Sequence, residues 1–142
     1  MITCVFVNDS LPEFDSEYFS IVIPKIIKAE HKEMAEISIV FCDDDYLLKM
    51  NQQYLSHDYY TDIITFDYTH GNFISGDLFI SIDRVKDNSV LYKKEFFNEL
   101  CRVVFHGVLH LCGYNDKHQD DILVIRAKED EYIQNFVSRE TK

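Results

Sequence analysis

The sequence predicts an α+β fold: one domain with a small mixed four-stranded sheet packed with helices, the central helix carrying a histidine pair. Three observations carry that prediction. Short runs rich in β-branched residues alternate along the chain with segments of helical periodicity. One segment, 94–112 (KEFFNELCRVVFHGVLHLC), is apolar almost all round, as only a helix central to the fold would be. The chain has 142 residues and is 46% hydrophobic, enough for one domain over 1–142 with a core that needs neither disulfides nor structural metals.

The elements follow in the order βαβαββ(α)αα. Residues 2–7 alternate loosely and read as a strand. Residues 15–31 carry Phe19, Ile23, Ile26 and Ile27 at helical spacing, with Pro24 expected to break or kink the helix. Residues 35–42 (AEISIVFC) read as a strand. Asp43 to Asp45 then cap a short helix reaching about Tyr54, where carboxylates suit the positive end of the helix dipole. Two more strands are expected at 61–67 (TDIITFD) and 77–83 (DLFISID), joined by the stretch from Tyr68 to Ser75. A short helix from about Asp83 to Leu91 precedes the apolar helix, which Gly113 is placed to end. A last helix spans about 119–137.

Composition bounds the function. No apolar run approaches the roughly 18 residues of a membrane span, and the amino terminus lacks the features of a signal peptide, so a cytoplasmic protein is expected. Cys4, Cys42, Cys101 and Cys112 form no CxxC pair and read as reduced, mostly buried thiols. His31 and His70 read as solvated surface residues. The net charge of −11 argues against nucleic acid, whose binding relies on neutralising phosphates. A local basic strip of Arg84, Lys86, Lys93, Lys94, Arg102 and Lys117 is compatible with that global charge.

The chemistry concentrates in the apolar helix. His106 and His110 stand four residues apart, so both imidazoles share one face and reach one cation. After the stop at Gly113 the chain can turn back, bringing Asp116 or His118 to complete the coordination. Three protein ligands leave a fourth position open, the arrangement of a catalytic site. The spacing is that of HExxH metallopeptidases, but Gly107 stands where their glutamate base would be. The clamp without the base points to another metal-assisted hydrolysis.

HGVLHLCGYND in residues 106–116 resembles the HGxLHLxGYDH signature of the YbeY family of rRNA-processing endoribonucleases. NQQYLSHDYYTDIITFD in 51–67 resembles that family's stretch ending in PTDVLSFP, and SGDLFISIDRVKDNS in 75–89 its GDIxIS segment. Asp121, Ile125 and Glu129 fall at the family's spaced positions after the metal motif. The resemblance implies a mixed sheet with a central histidine-bearing helix and one zinc ion per chain. It implies a single-strand-specific endoribonuclease that acts on 16S rRNA of the small ribosomal subunit, in maturation and quality control. The alternatives are a ribosome-assembly factor with a structural metal, and a zinc peptidase-like hydrolase.

Two departures stand out. Where the family has its third histidine ligand, this chain has Asp116, with His118 two residues on. Asp is a competent zinc ligand, and Asp116 keeps the loop length. Leu55 stands where the family has an arginine, which could grip a phosphate in two-point contact as leucine cannot; His57 is nearby. Asp77 is read either as a catalytic or supporting carboxylate or as a turn residue. Thr61 and Asp62 are read as strand caps or as a cleft edge, and Glu129 either as a group that orients a ligand or as part of a solvated face.

Overall fold

A computed structural model of the chain describes residues 1–7, 14–57 and 60–137. The elements are β1 (Ile2–Phe6), α1 (Glu17–Ala29), β2 (Glu33–Cys42), α2 (Asp44–Leu55), β3 (Ile63–Asp67), β4 (Phe73–Ser81), α3 (Ile82–Leu91), α4 (Phe96–Leu111) and α5 (Gln119–Phe136). The four strands form one sheet in the order β1-β2-β4-β3. β1, β2 and β4 are mutually parallel where they pair, and β3 runs antiparallel to β4. The fold is thus the mixed four-stranded α+β domain that the sequence predicts. Among the described residues no helix is long and apolar enough to cross a membrane.

Two elements differ from expectation for physical reasons. Pro24 does not break α1, which runs through it. The carbonyl that loses its partner belongs to Ser20, an exposed residue, so water can satisfy it. β4 begins at Phe73 rather than Asp77. Its alternation is complete, with Ile74, Gly76, Leu78 and Ile80 buried, but Gly76 leaves one inward slot without an apolar side chain and so masks the period. The strand then ends at Ser81, whose hydroxyl caps α3 by accepting from the Arg84 amide at 3.2 Å.

The sheet buries both faces unequally. On one side Ile37, Ile39, Phe41, Leu78 and Ile80 meet Phe19, Ile23 and Ile26 of α1 and Val104, Phe105 and Val108 of α4. On the other, Leu47 of α2 joins Cys42 and Ile64, flanked by Phe66 and Phe79. Asp43 caps α2 as expected, its carboxylate accepting from the Tyr46 amide at 2.8 Å. All four cysteines are free thiols, and burial pushes the Cys42 thiol up to about 12.

α4 lies close against β3 and β4 because two glycines let it. A Cβ on Gly107 would stand 2.7 Å from Ile63 Cδ1 and 2.9 Å from Leu78 Cδ2. A Cβ on Gly76 would stand 2.6 Å from the Phe66 backbone oxygen and 2.7 Å from Leu111 Cδ2. Side-chain ends can yield, whereas a ladder carbonyl cannot without moving the strand. Gly76→Ala should therefore cost more stability than Gly107→Ala, with about 1–3 kcal/mol expected of an overpacked core position. Urea denaturation of both variants measures this, and a Gly107→Ala loss as large as that of Gly76→Ala would contradict it.

Candidate metal centre

The end of α4 is shaped by Gly113, whose φ of 108° suits a residue without a Cβ. The Gly113 amide donates to the His110 carbonyl and the Tyr114 amide to the Leu109 carbonyl, both at 3.0 Å. That paired pattern is the Schellman turn. It folds the chain back over the last turn and brings the Tyr114 carbonyl to His110 Nδ1 at 2.9 Å. The Tyr114 hydroxyl in turn donates to Glu30 Oε1 at 2.6 Å, so the turn is tied to the far end of α1. Tyr132 of α5 donates to the other oxygen of Glu30, and Lys128 lies 3.5 Å from it.

A second tether holds His106. Its Nδ1 lies 2.6 Å from Glu129 Oε2, on α5. Glu129 is 2% exposed, and its other oxygen accepts from Arg102 at 2.9 Å. Arg102 also reaches Asp130 at 2.6 Å. The buried carboxylate is thus charge-paired on one side and aims the imidazole on the other, as outer partners of metal-ligating histidines do.

These tethers fix the tautomers. A carbonyl and a carboxylate only accept, so Nδ1 of each ring carries the proton and each Nε2 presents a lone pair. The two Nε2 atoms lie 3.0 Å apart, and Asp116 Oδ2 lies 3.1 Å from His110 Nε2 and 3.3 Å from His106 Nε2. Three acceptors converging on one point repel one another unless a cation stands between them. Bonds of about 2.0–2.1 Å at a tetrahedral angle set zinc donors roughly 3.3 Å apart, so the spacing fits such an ion. Among the described residues, His106, His110 and Asp116 are the group of such side chains close enough to hold a metal together. A proton is the substitute cation. Burial pulls the His106 pKa down, but the Glu129 hydrogen bond and the charges of Glu129, Asp116 and Asp62 outweigh it and raise it above the usual value.

The other candidate residues scatter. His118 is the exposed N-cap of α5 and stands outside this group. Asp77 is not brought to it either. It alternates with Gly76, whose missing Cβ points at Leu111 of α4, so Asp77 faces the opposite side of the sheet, where it pairs in register with Phe66 and accepts from the Tyr68 hydroxyl. The reading of Asp77 as a catalytic carboxylate is corrected by that parity. Asp62 directly precedes β3: its carbonyl accepts from the Ser81 amide at 2.9 Å, and the residue lines both clefts beside the histidines. Burial pushes its pKa up, against the pull of His106.

Two clefts open on either side of the triad and share His106, Asp116 and Asp62. The larger, about 820 Å³, runs past Leu55, His57, Thr65 and Lys117. Leu55 is 41% exposed there, so it is a wall residue rather than a piece of core. The smaller, about 560 Å³, lies between α3, α4 and α5. The basic strip is weaker than it reads in the sequence. Arg84 is committed to Asp44 and Asp87, and Arg102 to Glu129 and Asp130.

With this geometry the comparisons agree. The profile of endoribonuclease YbeY matches residues 7–137. An endoribonuclease YbeY of Flavobacterium psychrophilum is 52% identical over 114 residues, 80% of this chain and 81% of the relative. One from Flavobacterium johnsoniae is 49% identical over 122 residues, 86% of this chain and 88% of the relative. One from Azobacteroides pseudotrichonymphae is 44% identical over 131 residues, 92% of this chain and 94% of the relative. The solution structure of a Thermotoga maritima protein superposes with a TM-score of 0.70 at 21% identity, covering 99% of this chain and 92% of that one, which shows the fold.

Two outcomes test the tethered site. Glu129→Ala should weaken metal binding by about 10–100-fold, measured by competition with a chelator, because it frees the His106 ring. Unchanged affinity would show that Glu129 does not orient the ligand. A metal at this point would compete with a proton for His106 Nε2, so affinity should be flat at high pH and fall as the pH drops through the raised His106 pKa. In Glu129→Ala that fall should move to lower pH; an unmoved profile would contradict the assignment.

Proposed function

The chain belongs to the endoribonuclease YbeY family, and on that premise we propose that it is a zinc-dependent, single-strand-specific endoribonuclease acting in the cytoplasm on 16S rRNA of the small ribosomal subunit. One observation carries the proposal: two imidazole nitrogens and one carboxylate oxygen converge within 4.8 Å, and the point they share opens into clefts on both sides. In this reading His106, His110 and Asp116 are the ligands, and the fourth position faces the substrate. Held by His106, His110 and Asp116, a divalent ion would supply Lewis acidity and a water of lowered pKa for phosphodiester hydrolysis.

The chain's own residues do the rest. Glu129 and the Tyr114 carbonyl hold the two Nδ1 protons, keeping both Nε2 lone pairs aimed at the shared point. Asp62 borders both clefts beside His106, which suits its carboxylate to accept the proton of an attacking water. Lys117 stands on the wall of the larger cleft, where it suits a backbone phosphate. Two clefts that meet at the shared point suit a strand whose bases can be splayed apart better than a duplex.

The competing readings lose support here. A structural site would close with four protein ligands, and among the described residues the group has three. A peptidase would need a carboxylate base at position 107, and Gly107 is pressed against Ile63 and Leu78 with no room for one.

Metal-replete protein should cut single-stranded RNA in preference to duplex, and His110→Ala should lose most of the zinc and the cleavage together. Cleavage that survives loss of the metal would overturn the proposal. Leu55→Arg would restore, on an exposed cleft wall, the phosphate clamp that the family resemblance implies. It should raise cleavage by about tenfold, roughly 1.4 kcal/mol of added transition-state stabilisation, with melting temperature and zinc content unchanged. No gain at an unchanged melting temperature would show that position 55 meets no phosphate.

A further inference from the structure

Glu99 is a carboxylate buried to 6% exposure on α4. Its amide donates to the Glu95 carbonyl at 3.0 Å, but among the described residues its carboxylate makes no hydrogen bond and no ion pair. Its neighbour in charge, Arg102, is already committed to Glu129 and Asp130. Burial pushes the Glu99 pKa up, while Arg102 pulls it down at a distance. Its place in the first turn of α4 lets the helix dipole tolerate the charge but gives the oxygens no partner. Its oxygens are not among the fully enclosed, unpartnered side-chain atoms, of which the described residues have Asn98 Oδ1, so they are open to water or to a ligand from the cleft.

The oxygens have somewhere to point. Glu99 lines the smaller cleft, about 560 Å³, together with Asn88, Tyr92, Arg102, Ile122 and Arg126. That volume lies within the usual range for small-ligand pockets. Tyr92 is 56% exposed at the end of α3 and offers a ring on which a flat group can stack. His106 also borders this cleft and lies seven residues along the same helix, about 10 Å by helical rise. That distance is comparable to the span from a nucleotide's phosphate to the far edge of its own base.

Charge decides what enters. Lys94, Arg102 and Arg126 border this cleft with Asp62, Glu99, Asp116, Glu129 and Asp130. Arg102 is taken up by Glu129 and Asp130, so the unpaired Glu99 carboxylate favours a group rich in donors beside it. An ionised carboxylate is two acceptors side by side. Among the nucleobases guanine alone presents two adjacent donors to match it, N1–H and the 2-amino group. Adenine and cytosine offer one amine beside an accepting ring nitrogen, and uracil one donor between two carbonyls.

We propose that this cleft is a guanine subsite, in which Glu99 accepts from N1–H and the 2-amino group while the base lies against Tyr92. The proposal rests on the reading of the adjacent metal centre as a ribonuclease site, and it gives that site a base preference beside the cut.

Calorimetric titration of the full chain with GMP, IMP and AMP tests it, the shared phosphate cancelling between ligands. GMP should bind at least about tenfold more tightly than IMP, which lacks the 2-amino group, and more tightly still than AMP. Glu99→Gln should abolish that preference with zinc content and fold intact, and Tyr92→Leu should weaken all three alike. Equal binding of the three nucleotides, no binding at all, or a GMP preference retained in Glu99→Gln would each overturn the subsite. RNA cleavage assayed beside it separates the two readings. Cleavage without GMP preference sinks the subsite alone, and GMP preference without cleavage sinks the ribonuclease reading and leaves the subsite standing.

Discussion

Each imidazole of the His106–His110 pair has one nitrogen already committed, His106 to the buried Glu129 and His110 to the Tyr114 carbonyl. Because both partners can only accept, the rings have no freedom to exchange protons between their nitrogens and turn the repulsion aside. The bare Nε2 atoms must face each other and Asp116. Much of the remaining structure serves to keep that unfavourable convergence in place. Gly113 makes the turn that delivers the Tyr114 carbonyl, Glu30 anchors the Tyr114 hydroxyl from α1, and Arg102 neutralises the far side of Glu129. Helix α5 supplies Glu129 as well as Tyr132 and Lys128 to Glu30, so both tethers run through one element.

The same arrangement reconciles the acidic chain with an acidic substrate. Net charge governs long-range attraction, whereas the work at a site is local. Much of the negative charge near the centre is engaged internally: Glu129 and Asp130 with Arg102, Asp44 with Arg84, Glu30 with two tyrosine hydroxyls and a lysine. What is left facing the clefts is small and mixed. With so little net attraction, a substrate strand would be held more by shape and by contacts to its bases than by phosphate neutralisation.

Much of this was legible in the sequence because the signals are local. The i,i+4 histidines, the glycine stop and Asp116 lie within eleven consecutive residues, and the turn that joins them is made by the backbone itself. The polar stripe Glu99, Arg102, His106 and His110 on an otherwise apolar helix marks the face of the site, since steps of three and four residues share one side. What stayed hidden is tertiary. Nothing local ties Glu30 to Tyr114, 84 residues away, or Glu99 to a cleft built from three helices. Asp77 was misread although its parity was available: Leu78 and Ile80 point to α4, so their odd-numbered neighbour cannot. The Gly76 gap disguised that alternation.

The central claim is that two imidazole nitrogens and one carboxylate oxygen, and no other side chain, hold one metal ion. X-ray absorption at the zinc edge of the loaded protein tests it most directly. The account predicts four nitrogen or oxygen neighbours at about 2.0–2.1 Å, with the outer-shell scattering of two imidazoles. In Asp116→Ala one light-atom neighbour should be replaced by solvent while both imidazoles remain. A third imidazole, which only a rearrangement bringing in another histidine such as His118 could supply, or sulfur at about 2.3 Å, would contradict it.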